Sequence, residues 1–408
     1  MAAAARHSLW MASLICALYA ASGVAAASSS SGALTLLPNN AYGAKCLDGS
    51  PPGYYFRPGV GEGRLKWHIY LPGGGWCIGE SDCEARSKDY LGRSSAWASS
   101  VTGNSGGHVP LTDGILSTDS GTNPSFYKWN TVIIAYCDGG GYTGTRGKVV
   151  TKSGKTLYLD GRNIVQAVLD DLKANRGMRS ASEVLLSGQS AGGQAVVMLC
   201  DKVAESVPSA RTKCIADSGF FLDSKAIDGG SSFRDSFEKF AAFHQIQVPN
   251  CKSGAKASQW FCYFPQYALG RVSTPIFIYQ SMLDNTAAVL GNQMSADNPK
   301  GTKCLEGILG AKNITQVVKD WSWAKHPLKI SACNKAEQDS MLTVASTLYM
   351  RLKKLARKRR SMGVFLAKSY THSVVAKSFW RTVRAGGVDL PSAISDWYST
   401  GRGTFLYG

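Results

Sequence analysis

An α/β fold built on a mostly parallel sheet is what this chain predicts, from three observations. Short apolar runs alternate with amphipathic helical patterns, each run ends in a glycine-rich or polar turn, and those turns carry the most reactive side chains. The runs are Lys66–Leu71, Thr131–Cys137, Glu183–Gly188, Pro275–Ser281 and Met362–Ala367. Continuous hydrophobicity over such lengths marks strands covered on both faces, as in a parallel sheet. The clearest helix between them is Asp160–Gly177. There Ile164, Val168 and Leu172 recur every four residues beside Val165 and Leu169, with Asp160 as N-cap and Gly177 as stop.

Ligands of parallel sheets bind beyond the carboxyl ends of the strands. The first run leads into Pro72-Gly73-Gly74-Gly75-Trp76-Cys77, and the second into Asp138-Gly139-Gly140-Gly141. The third breaks into Gly188-Gln189-Ser190-Ala191-Gly192, followed by a helix-compatible Gln194–Leu199. A Gly-x-Ser-x-Gly elbow between strand and helix forces its serine into a tight turn with the hydroxyl at the sheet edge. The fourth run ends at Met282-Leu283-Asp284-Asn285 and the fifth at Ser369-Tyr370-Thr371-His372-Ser373.

Ser190, Asp284 and His372 thus follow one another in the chain order of the α/β-hydrolases, so the predicted fold is α/β-hydrolase-like. A serine hydroxyl needs a base to become a nucleophile at neutral pH. His372 is the candidate base, and Asp284 the group that fixes its tautomer. Backbone N–H groups of Gly74, Gly75 and Ala191 are the candidate oxyanion donors. The competing residues are His68, His108, His244 and His326 for the base, and Asp201, Asp217 and Asp223 for the acid. Each of those histidines reads as a structural residue, and Asp217-Ser218-Gly219 as a turn holding a structural carboxylate.

Two other motifs fail on context. Gly139-Gly140-Gly141-Tyr142-Thr143-Gly144 fits a dinucleotide fingerprint, but a hairpin-like Lys148–Lys155 follows where a helix is required. Gly154-Lys155-Thr156 resembles the end of a phosphate loop, yet Val149 stands where glycine is needed.

The chain ends and composition bound the setting. Arg6 and His7 precede an apolar run from Leu9 to about Ala21, and Val24-Ala25-Ala26-Ala27 offers small residues for cleavage, so residues 1–27 read as a signal peptide. No later segment is long and apolar enough to span a bilayer. Residues 28–408 read as one domain, without linker or repeat, and a monomer is expected. Of the 11 cysteines, Cys16 lies in the leader. The other ten, Cys46, Cys77, Cys83, Cys137, Cys200, Cys214, Cys251, Cys262, Cys304 and Cys333, predict up to five disulfides. Their spacings do not match a zinc site. Asn313-Ile314-Thr315 is the glycosylation sequon. The net charge of +17 points to a polyanionic partner, and a signal peptide makes acidic polysaccharide a better candidate than nucleic acid. Much of that charge lies in Arg351–Arg360, which reads as a solvated helix face.

Several stretches together resemble the pectin acetylesterase family, which includes the Notum-type carboxylesterases. They are Cys46–Tyr55, Leu71–Cys77, Asn123–Asn130, Tyr136–Gly139, Ser187–Gly193 and Cys214–Asp223, spread across nearly the whole mature chain. The resemblance implies an α/β-hydrolase-like secreted serine esterase that needs no metal or organic cofactor. It places the catalytic residues at Ser190, Asp284 and His372, and implies acetylated pectin as substrate. A Notum-like esterase for longer acyl groups and a catalytically silent, basic polysaccharide-binding protein are the alternatives. The chain departs from the family at three places. Plant members usually have cysteines flanking the catalytic histidine, whereas Tyr370-Thr371-His372-Ser373 has none. Leu71-Pro72 stands where an acid commonly precedes the glycines, and Arg351–Arg360 does not map onto the family pattern.

Overall fold

The structure is a computed structural model; it describes residues 32–38, 41–98, 100–101, 112–225, 232–248, 251, 256–284 and 335–408. The signal peptide, Asn285, Asn313, Cys304, Cys333, His108 and His326 lie outside the described residues.

Strands β1 (Gly32–Leu36), β2 (Gly53–Arg57), β3 (Lys66–Leu71), β4 (Ser100–Val101), β5 (Asn130–Ile134), β8 (Glu183–Gln189), β9 (Arg211–Asp217), β10 (Ile276–Ser281), β11 (Gly363–Ala367) and β14 (Thr404–Tyr407) form one sheet. Its order is β14-β11-β10-β9-β8-β3-β5-β2-β1-β4. Every pairing from β14 to β5 is parallel, while β2, β1 and β4 add an antiparallel margin. Two small hairpins stand apart: β6 (Gly147–Val150) with β7 (Thr156–Leu159), and β12 (Arg384–Ala385) with β13 (Val388–Asp389).

The five strands read from sequence are all present, Lys66–Leu71 with the same ends and the other four with shifted ones. The largest difference is in β5, which stops at Ile134. Beyond it, Cys137 is bonded to Cys46 and its carbonyl accepts from Leu47 N, so the chain has left the ladder. Two strands of the parallel set were not read, β9 and β14. Strand β9 carries Arg211 and Lys213 in its first half, which hides its burial from a search for apolar runs. Lys213 is nevertheless buried, with its ammonium on Tyr398 O at 2.5 Å and over the Trp397 and Tyr398 rings.

Helices α1 (Glu80–Arg86), α2 (Gly161–Asn175), α3 (Ala191–Ser206), α4 (Ser232–His244), α5 (Lys335–Lys358) and α6 (Leu390–Thr400) surround the sheet. The predicted stripe of α2 is buried from Ile164 to Leu172. Asp160 sits at its N-cap, although its carbonyl, not its side chain, caps the helix by accepting Ile164 N at 3.0 Å. Gly177 follows the end in the left-handed region at φ 81°. Helix α3 packs on β8 and β9, and α5 on β11 and β14. Among the described residues four disulfides form: Cys46–Cys137, Cys77–Cys83, Cys200–Cys214 and Cys251–Cys262.

Candidate active site

Four adjacent strands, β8, β9, β10 and β11, carry the candidate residues to the C-terminal edge of the sheet. Ser190 follows β8 directly, Asp217 ends β9, Asp284 lies just past β10, and His372 just past β11.

Ser190 has φ 55° and ψ −124°, a conformation that glycine dominates and that costs other residues on the order of 1–3 kcal/mol. Hydrogen bonds on both sides hold it there. Its N–H donates to Asp217 O at 2.9 Å, and its carbonyl accepts Gln194 N at 2.9 Å as the first bond of α3. A side chain at Gly192 would strike the Leu71 carbonyl, so only glycine lets the start of α3 lie against β3. Gly73 is pressed onto the serine, since a Cβ there would stand 2.7 Å from Ser190 Cβ.

His372 Nδ1 lies 2.9 and 2.8 Å from the two Asp284 carboxylate oxygens. Their side chains are 0% and 3% exposed, so the pair is shielded from water. A carboxylate only accepts, so it fixes the proton on Nδ1 and leaves Nε2 as the basic nitrogen. Gln280 holds the acid in turn. Its Oε1 accepts Phe220 N at 3.1 Å, which aims its NH2 at Asp284 Oδ2, also at 3.1 Å.

The histidine loop has no flanking disulfide, and hydrogen bonds hold it instead. Thr371 O accepts from Ser281 Oγ at 2.7 Å, and Ser373 N donates to Ser218 Oγ at 2.9 Å. Val374 N and Val375 N both donate to Asp217 Oδ2 at 2.8 Å. Asp217 is therefore the structural carboxylate its sequence context suggested. Its carbonyl grips the serine backbone while its carboxylate grips the histidine loop, so one residue ties both together.

Among the described residues the other competitors also have structural tasks. Asp201 accepts Ser273 N and Thr274 N, and Asp223 pairs with Arg234. His68 Nε2 meets Ser187 Oγ at 2.6 Å, and His244 Nε2 donates to Cys77 O at 2.8 Å. Cys77, Cys83 and His244 bring their donor atoms within 4.8 Å of one another. The two sulfurs are joined in a disulfide, however, and offer no thiolate to a metal. The Gly139–Gly144 loop wraps around the Asp138 carboxylate, which accepts Gly140 N at 2.9 Å and Tyr142 N at 3.1 Å. An acid thus fills the place where a phosphate would sit.

In the glycine turn, Gly74 and Gly75 have φ of 150° and 65°. Arg86 donates to Gly74 O at 2.8 Å, and Tyr136 OH donates to Gly75 O at 2.6 Å. Arg86 also stacks over the Tyr136 ring at 4.9 Å. Sequence reasoning missed Arg86, Tyr136 and Gln280. Only Gln280 leaves a sequence signal, as an amide that follows the apolar start of β10.

Residues 25–317 match the pectinacetylesterase family model. The chain is 31% identical over 362 residues to pectin acetylesterase 5 of Arabidopsis thaliana, covering 87% of this chain and 77% of that protein. The chain belongs to the pectinacetylesterase family. It is also 27% identical to the palmitoleoyl-protein carboxylesterase NOTUM of Mus musculus, over 86% of this chain and 62% of the relative. Its fold is that of the Wnt deacylase Notum from Drosophila, with TM-score 0.71, 22% identity, and 92% and 96% of the two chains covered. With these relatives, this pectinacetylesterase-family chain is a carboxylic ester hydrolase with an α/β-hydrolase-like fold. Ser190 lies inside the family match, and His372 lies beyond its end.

The buried titratable groups of this esterase oppose one another in pH. Burial pushes Asp138 and Asp217 up from 3.8 to about 6. Raised acids contribute stability that is present below 3.8 and lost as pH rises through about 6. Burial pulls His68 down from 6.5 to about 3 and His244 down to about 4. Depressed histidines contribute stability that is present above 6.5 and lost as pH falls toward those values. Acids and histidines therefore pull the pH dependence of stability in opposite directions between pH 5 and 6, with the Asp160 carboxyl, also raised by burial, on the side of the acids. In His244→Gln one opposing group is gone. Its stability should then rise toward acid with an added slope of about 1.4 kcal/mol per pH unit relative to wild type. Melting curves at stepped pH check this, and identical slopes for the two proteins would refute the assignment.

Proposed function

We propose that this esterase is secreted after loss of residues 1–27 and works as a monomer of one domain, residues 28–408. In this reading it removes O-acetyl groups from an acidic cell-wall polysaccharide, pectin, by serine catalysis. The observation that carries the mechanism is the buried His372–Asp284 pair at the same edge of the sheet as a serine held in an elbow.

Ser190 Oγ attacks the ester carbonyl as His372 Nε2 takes its proton. The tetrahedral oxyanion collapses, the sugar oxygen leaves with that proton, and an acetyl-serine remains. Water then attacks with His372 again as base, releasing acetate and restoring the serine. The oxyanion is held by N–H groups of the Gly74-Gly75 turn and of Ala191 at the start of α3. A trans peptide points its N–H away from its C=O. Anchoring Gly74 O on Arg86 and Gly75 O on Tyr136 therefore fixes the N–H groups of Gly75 and Trp76 on the opposite side.

The packing beside this turn supports a small acyl group. Trp76 has ring contacts with Phe221 at 5.0 Å, Phe237 at 5.3 Å and Phe240 at 6.4 Å. Phe221 in turn contacts the His372 ring at 6.5 Å. In this reading the aromatic wall limits the depth open to the acyl group. The charge of +17 supports a polyuronate partner.

Acetate release from acetylated pectin, beside hydrolysis of p-nitrophenyl acetate and octanoate, tests the reading. The expected result is acetate release with octanoate the poorer ester. Octanoate turnover without acetate release from pectin would assign a longer acyl substrate, the activity named for the Notum relatives. Binding of pectin without turnover of any ester would leave a silent polysaccharide-binding protein.

A further inference from the structure

The strongest unassigned feature is a cationic groove along the C-terminal half of α5. Helix α5 begins near the catalytic edge, where Met341, Val344 and Leu348 line a cavity with Asp284. It then runs toward the opposite end of the sheet, where it feeds β11 from its N-terminal side. From Val344 to Arg357 a helix advances about 20 Å. The groove is thus well removed from Ser190.

Two adjoining concavities make up the groove. One is lined by Arg351, Lys354 and Lys358, the other by Arg360 and Arg402, and both share Lys353 and Arg357. Arg351, Lys354, Arg357, Lys358, Arg360 and Arg402 are exposed. Among the described residues none of these cations forms an ion pair, although eight other lysines, arginines or histidines do. The neighbouring Arg359 shows the contrast. It is spent on structure, donating to Leu269 O at 2.9 Å and Thr274 O at 3.2 Å. A like-charged run on one helix face is self-repelling, and an external polyanion relieves that repulsion.

We propose that this groove is a second binding site, a docking track for an unesterified polyuronate stretch of the same polymer whose acetyl esters are cleaved at Ser190. This rests on the polysaccharide reading above. The groove has features a sugar chain uses beyond charge. It is concave, and Phe405 lines it while Tyr349 meets the Phe405 ring edge to face at 5.6 Å. Holding the polymer about 20 Å along α5 from the catalytic edge raises the local concentration of its esters without touching the chemistry.

The test uses the full-length mature enzyme and a Lys354→Gln/Arg357→Gln/Lys358→Gln variant, with unchanged melting temperature as the check on folding. The probe is polygalacturonate free of acetyl groups, so its binding does not depend on catalysis. The variant should bind it roughly tenfold more weakly at low salt, and its affinity should fall less steeply with added salt. KM for acetylated pectin should rise while kcat/KM for p-nitrophenyl acetate stays the same. Equal polygalacturonate binding by both proteins would overturn the proposal. So would wild-type binding to phosphatidylserine vesicles but not to polygalacturonate, which would assign the groove to a membrane surface. Loss of acetate release from pectin with polygalacturonate binding intact would instead strike the catalytic reading and leave the groove standing.

Discussion

Replacing Ser190 by alanine is expected to lower kcat on p-nitrophenyl acetate by about 10⁴-fold or more, with the fold intact. The hydroxyl is the only atom lost, and no other nucleophile occupies the elbow between β8 and α3. A companion variant separates chemistry from structure. The backbone at Ser190 sits at φ 55° and ψ −124°, where any Cβ is strained and glycine is not. Ser190→Gly should therefore be as inactive as Ser190→Ala but more stable than it by about 1–2 kcal/mol. Esterase assays with chemical denaturation curves read both effects. Retained turnover in either variant would remove Ser190 from the mechanism. A glycine variant no more stable than the alanine one would show that the elbow stores no strain.

Asp284→Asn should cost about 10³- to 10⁴-fold in kcat with little change in KM. The reason lies in the hydrogen bonds around the carboxyl group. Gln280 is pinned by Phe220 N, so its NH2 faces the residue at 284 and demands an acceptor there. An asparagine that keeps its oxygen on Gln280 at the Oδ2 position leaves its NH2 at the Oδ1 position, 2.9 Å from His372 Nδ1, where it opposes a proton on that nitrogen. The imidazole then has to accept at Nδ1 and carry its proton on Nε2, where it is no longer a base for the serine. Nitrogen chemical shifts of His372 report this tautomer directly. A removal of both constraints, Gln280→Leu with Asp284→Asn, frees the amide to flip and should recover part of the lost rate. An Asp284→Asn enzyme with near wild-type kcat would show that the acid plays no part in catalysis.

How much of this site can be read in sequence depends on how local each signal is. The elbow is a five-residue pattern between a buried strand and a helix, so Ser190 is evident from its neighbours. Asp284 and His372 are evident as the polar residues that end buried strands. The helix α2 stripe and the five strands β3, β5, β8, β10 and β11 follow from periodicity and continuous burial. Strand β9 escapes because its buried Lys213 is satisfied by Tyr398 O and two aromatic rings, partners about 185 residues away. The second role of Asp217 escapes for the same reason, since its partners Val374 and Val375 lie in the histidine loop.

The cysteine-free loop around His372 makes the division clear. Sequence alone named the three candidate side chains and their order, the α/β class and the excess of positive charge, because each is written in contiguous residues. Tertiary structure decided what steadies them: Gln280 on Asp284, Asp217 and Ser218 on the histidine loop, Arg86 and Tyr136 on the glycine turn. It also decided which cations stand unpaired along α5 and which, like Arg359, are consumed by the fold. Hydrogen bonds between residues far apart in the chain leave no periodicity behind, so only the folded arrangement of strands reveals them.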